Sequence, residues 1–117
     1  MGVQNVRGTT PTEYVHIPSD KILATDIDEI WFTITQNKRI IIDKTIADAT
    51  LTNQTFAFQL SQEETLSLDP EEECLAQVRV HLQNGKVWKS QIWAFDPGDI
   101  LKEGVMVSPS NGEQNEV

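Results

Sequence analysis

Cys74-Leu75-Ala76-Gln77-Val78-Arg79-Val80-His81-Leu82 leads into Gln83-Asn84-Gly85-Lys86 and then into Val87-Trp88-Lys89-Ser90-Gln91-Ile92-Trp93-Ala94-Phe95. Two strand-like runs flank Asn84-Gly85, the strongest short-range hairpin signal, because a type I′ turn needs φ > 0 at both central residues. In the first arm Cys74, Ala76, Val78, Val80 and Leu82 share one face, while Gln77, Arg79 and His81 share the other. That alternation marks a strand with one buried side. The second arm is less simple. Trp88, Ser90, Ile92 and Ala94 oppose Val87, Lys89, Gln91, Trp93 and Phe95, which leaves bulky apolar groups on both faces. One of those faces is expected to be covered by a neighbour.

Working outward, similar runs recur. Thr12 to Ile17 is β-branched and aromatic and is bounded by Pro11 and Pro18, which suits a strand near a sheet edge. Lys21 to Asp28 reads as a loop or a single helical turn. Glu29 to Gln36 alternates, with Ile30, Phe32 and Ile34 opposite Trp31, Thr33 and Thr35. Arg39 to Ile46 reads as its partner across Asn37-Lys38, a weaker turn signal because Lys tolerates φ > 0 poorly. Asp48 to Asn53 is turn-like, and Gln54 to Leu60 alternates again through Phe56, Phe58 and Leu60.

Ser61-Gln62-Glu63-Glu64 fits a capping box, and Asp69-Pro70 stops the helix it starts within about two turns. Asp96 to Asp99 is a turn, and Ile100 to Val107 has room for one short final element. These signals predict an all-β chain: an antiparallel Ig-like β-sandwich of about six or seven strands with one short helical turn. The domain spans 11–107, preceded by an N-terminal arm over 1–10 and followed by a disordered acidic tail over 108–117.

With 117 residues the chain suits a single domain. Its net charge of −9 is concentrated: residues 61–74 hold six acids and no base, and residues 96–117 hold five acids against Lys102 alone. The remainder is close to neutral, which argues against nucleic acid as a partner, since Lys and Arg drive that binding. No apolar run is long enough to span a membrane. The single cysteine, Cys74, forms no internal disulfide, and its place in an apolar run reads as a buried, inert thiol. His16 and His81 sit in strand-like segments without a nucleophile motif.

Asp26, Asp28 and Glu29, with Asp96 and Asp99, resemble a hard-cation cluster in composition but lack a ligand spacing, and solvated turn acids account for them. No catalytic order and no cofactor motif is present, so the chain reads as a non-enzyme without a cofactor. Trp31, Trp88, Trp93 and Phe95 are the candidate interface residues. Aromatic residues of this kind serve protein interfaces or cores and, alternatively, stack on sugar rings.

Four stretches together resemble short proteins encoded by phages and prophages of Gram-positive bacteria: Arg7-Gly8-Thr9-Thr10-Pro11-Thr12, Leu60-Ser61-Gln62-Glu63-Glu64-Thr65-Leu66, the Val78-Arg79-Val80 hairpin with Asn84-Gly85, and Gly98-Asp99-Ile100-Leu101-Lys102-Glu103-Gly104-Val105. The chain is similar in this respect to the N-terminal domain of phage baseplate upper proteins, although Asn37-Lys38 lacks the expected glycine. The resemblance implies a tail or baseplate structural protein. Its partners would be other phage structural proteins and further copies of itself, and its location the host cytoplasm when synthesised and the virion once assembled. On this reading Trp93 and Trp31 contact the partner. A carbohydrate-binding β-sandwich is the alternative.

Overall fold

The computed structural model describes residues 6–108 and contains eight strands in two antiparallel sheets. β1 (Thr12–His16), β5 (Thr55–Gln59) and β4 (Ala49–Thr52) form a three-stranded sheet in the order β1-β5-β4. β3 (Arg39–Lys44), β2 (Ile27–Gln36) and β6 (Cys74–Leu82) form the second sheet, completed by β7 (Val87–Lys89) and β8 (Trp93–Phe95), which both pair with β6. The chain is thus an all-β sandwich, as its alternating pattern requires.

The core is the alternation seen in three dimensions. Ile30, Phe32 and Ile34 of β2, Ala76, Val78 and Val80 of β6 and Phe56 and Phe58 of β5 are all buried. Phe32 and Phe58, one from each sheet, stack with ring centroids 5.4 Å apart. Each such ring contributes about 1.5–3 kcal/mol by leaving water.

The turns correct the sequence reading in a consistent way. Asn37-Lys38, the weaker signal, is the two-residue loop with both residues at positive φ, +52° and +65°, closing on the Gln36–Arg39 pair. At Asn84-Gly85 only Gly85 is in the left-handed region, at φ +89°. There the Gly85 N–H donates to Leu82 O and the Leu82 N–H to Lys86 O, a three-residue loop in which glycine supplies the left-handed step. Ala49–Thr52, read as a turn, is strand β4. It pairs with β5 through a two-residue loop whose Asn53 has φ +55°.

The short helix α1 (Gln62–Leu66) has the expected capping box: Ser61 Oγ accepts from the Glu64 N–H, and Glu64 Oε1 accepts from the Ser61 N–H. Glu64 also pairs with Lys44 at 2.6 Å. Burial alone would raise its carboxyl, but the Lys44 and Ser61 hydrogen bonds hold it below the usual carboxylate range. Two glutamine amides fix the loops. Gln36 donates to Asp69 O and Glu72 O and accepts from the Asp69 N–H. Gln54 donates to Ile17 O and Ile22 O and accepts from the Ala24 N–H.

The predicted arm is no free arm from Val6 onward, since Val6 and Arg7 are buried. Residues 1–5, and all but Ser108 of the predicted tail, lie outside the described residues. Ile100 to Val107 forms neither helix nor strand and runs as an irregular strap.

Candidate functional site

The second hairpin arm, apolar on both faces in sequence, is resolved by a slip. β7 pairs with β6 as Val80↔Trp88, while β8 pairs as Ala76↔Trp93 and Cys74↔Phe95. Between the two strands the ladder takes up one extra residue, and a one-residue slip exchanges the faces. Ser90 stabilises the break: its N–H donates to Val78 O, its hydroxyl accepts from the Val78 N–H, and its carbonyl accepts from Gln77 Nε2. Trp88 and Trp93, of opposite parity in the sequence, therefore stand on the same inward face as Val80 and Ala76.

The four candidate residues separate accordingly. Phe95 is only 9% exposed and belongs to the core, so its ring is withdrawn from any partner. Trp93 is half-buried and stacks on Phe32 at 6.2 Å, which corrects the expectation that it stands opposite the core. Trp88 lies on the inward side but at the open rim of the sandwich, 42% exposed. Trp31 stands on the outer face of β2 as expected, 47% exposed.

Two surfaces result. On the outer face Trp31 is cross-strand from Arg79, whose guanidinium carbon lies 5.4 Å from the indole centroid, a cation–π pair. Trp31, Arg79, Val87, His81 and Glu29 line a shallow hollow of about 250 Å³. His81 Nδ1 meets Asp28 Oδ1 at 2.6 Å beside it. At the rim, a groove of about 380 Å³ runs between β1 and the β7–β8 arm, with Trp88 and Trp93 on one side and Val15, Ile17 and Pro18 on the other.

The sheet edges are guarded. β1 is bounded by prolines and turns Glu13 inward, opposite the fully buried Phe58. Burial raises the Glu13 carboxyl above its ordinary value. β4 has four residues, β3 carries a bulge at Ile41, and β7–β8 is interrupted. Short, bulged, broken or inward-charged edges all discourage strand addition.

The acids read as a possible cation cluster are dispersed. Asp28 faces His81, Glu29 accepts from the Ile30 and Ile46 N–H groups, and Asp99 pairs with Arg7. No group of three metal-ligating side chains occurs among the described residues. Cys74 is fully buried, and burial pushes its thiol up to about 11 against a smaller opposing effect of Gln36. It therefore stays protonated at neutral pH. On β6 it faces inward and His81 outward, so the two form no dyad.

One residue was missed altogether. Arg7, 7% exposed, donates from Nε to Leu68 O and from Nη2 to Leu66 O. It also pairs with Asp99 and with both carboxylate oxygens of Glu103. The hydrogen bond to Glu103 holds its proton more firmly against the opposing cost of burial. The Val6 and Arg7 N–H groups donate to Pro97 O, and Thr65 Oγ1 donates to Thr9 O. Three of the stretches that carried the resemblance, around Arg7, Thr65 and Asp99, meet in this clasp. The sequence carried no signal that joined them, since the stretch before Thr65 reads only as a strand end and a capping box.

Among the described residues no helix is long and apolar enough to cross a membrane. In comparison with known proteins the chain matches no family model, no curated protein and no solved structure.

Proposed function

We propose that the chain is a virion-associated structural protein of a phage or prophage, of the tail or baseplate, that acts by protein–protein assembly. The phage assignment rests on the four stretches that resemble such proteins. The mode of action rests on one observation: Trp31 and Trp88 are exposed on ordered strands while the sheet edges are guarded. Exposed tryptophan on a rigid strand is the kind of anchor that carries binding energy, about 2 kcal/mol or more where it becomes fully covered.

Trp31→Ser and Trp88→Ser are expected to keep the native circular dichroism spectrum and a cooperative melt, with Tm lowered by no more than a few degrees. Each should weaken self-association, or binding to neighbouring tail and baseplate proteins, by about tenfold or more in analytical ultracentrifugation. Unfolding of either variant, or undiminished association of both, would reject this reading.

The carbohydrate-binding alternative draws on the same tryptophans. The groove offers few free polar partners for sugar hydroxyls, because the Ser90 hydroxyl is already taken by the Val78 N–H and Gln91 O and His16 by Thr55. Binding on a glycan array that is lost in Trp88→Ser would favour it.

A further inference from the structure

We propose that Asn84 is a site of spontaneous covalent modification in the folded chain, its side-chain amide being lost through a cyclic imide formed with the Gly85 nitrogen. The proposal goes beyond the assembly reading and does not depend on it.

Asparagine is a chemically labile residue, and here the reacting groups are adjacent. Ring closure joins the backbone nitrogen of Gly85 to Cγ of Asn84, so the surroundings of Gly85 decide whether it proceeds. A side chain on that residue would crowd the nitrogen. Glycine has none, and nothing lies within 4 Å of the place a Cβ would take. Residues 83–87 are all exposed, so water and base reach the loop. The Lys86 N–H donates to Asn84 Oδ1 at 2.9 Å. That donor draws electrons from Cγ and is in place for the charge that grows on the oxygen as the nitrogen adds. One contact opposes the reaction: the Gly85 N–H donates to Leu82 O at 2.8 Å. It is a single bond at the tip of a loop, where local opening costs least. Asn37 and Asn53 are followed by Lys38 and Gln54, whose side chains stand beside the attacking nitrogen.

Water is the only co-reactant. The bond between the Gly85 nitrogen and Cγ forms, the nitrogen's proton passes to the departing amide, the Cγ–Nδ2 bond breaks and ammonia leaves. Water then opens the imide at either carbonyl. Opening at Cγ leaves an aspartate, whose carboxylate still accepts from the Lys86 N–H. Opening at the main-chain carbonyl leaves an isoaspartate, which carries the chain through Cβ and Cγ and lengthens it by one atom. β7 has three residues and pairs with β6 alone, beginning at His81↔Val87 just beyond the loop. The isoaspartate therefore loosens the strand that carries Trp88.

The test keeps the full native chain in mildly alkaline buffer beside a sample unfolded in urea, and follows both by peptide mass spectrometry. In the native sample the tryptic peptide from Val80 to Lys86 should gain a single mass unit, about tenfold or more faster than the peptides holding Asn37 or Asn53. Part of the product should accept a methyl group from an isoaspartate methyltransferase, and in that form the Val87, Trp88 and Lys89 amides should exchange with deuterium faster. Asn84→Gln should abolish the mass gain in a chain that melts as the wild type does. Asn111-Gly112, outside the described residues, repeats the pair and is scored on its own peptide. An Asn84 that stays intact in the native sample once the unfolded one has converted overturns the proposal, as does conversion at Asn37 or Asn53 at an equal rate. Unchanged deuterium exchange in the isoaspartate form would overturn the loosening of β7.

Discussion

Arg7 shows how one side chain closes a fold. Its guanidinium replaces water for the carbonyls of Leu66 and Leu68 and meets two carboxylates that lie more than ninety positions away. Arg7→Ala leaves those carbonyls without their donor, and we expect a loss of about 2–4 kcal/mol, measured as a lower urea midpoint at unchanged slope. Arg7→Lys should recover less than half of it, since an ammonium cannot reproduce the planar fork. Cys74 gives a second check at this scale: native protein should not react with a thiol reagent at neutral pH and should react once unfolded. The cysteine was legible because its neighbours alternate around it. Arg7 was not, since local patterning says nothing about a contact made across the whole length of the chain.

Among the elements, β2, β5 and β6 were readable because each buries one face, and burial writes a period of two into the sequence. β4 was not, because Ala49-Thr50-Leu51-Thr52 is short and mixed and takes its strand character from pairing with β5. The turn residues offer a direct test. Lys38 occupies the left-handed region at φ +65°, where an L-residue with a Cβ is strained. Lys38→Gly should raise stability by about 0.5–1 kcal/mol in thermal unfolding, net of the greater freedom glycine has when unfolded.

Glu13 offers another. Its carboxyl is raised by burial, so the folded chain holds the proton more tightly than the unfolded chain does. Its contribution favours folding below the unfolded carboxylate pKa and is lost as pH rises through the raised folded value. Glu13→Gln should therefore raise Tm by a few degrees at pH 7, and the gain should disappear near pH 3. Glu13→Val should raise Tm too and also promote aggregation, detectable by light scattering, because it removes the inward charge that guards the β1 edge.

For the whole molecule, the two ends of the described chain are structural parts of one sandwich. Removing everything after Asp96 takes away Pro97, Asp99 and Glu103 together, and should cost about 3 kcal/mol or more. Combined with Arg7→Ala it should cost little beyond the larger single effect, since both changes open the same clasp. The candidate site was half legible in the sequence. Trp31 declared itself by opposing Ile30, whereas Trp93 and Phe95 were assigned by counting along an arm that proved to be interrupted.

That interruption also bears on how the chain tolerates changes in length. β7 and β8 hold registers with β6 that differ by one residue, so the segment Ser90-Gln91-Ile92 contains one residue more than a straight ladder would use. Loss of Gln91 would bring both halves into a common register with Trp88, Trp93 and Phe95 still facing inward. Insertion of a further residue in β8 would instead turn Trp93 outward. A sequence one residue shorter at this point would therefore describe the same fold with its β7–β8 edge straightened and its inward-facing residues unchanged.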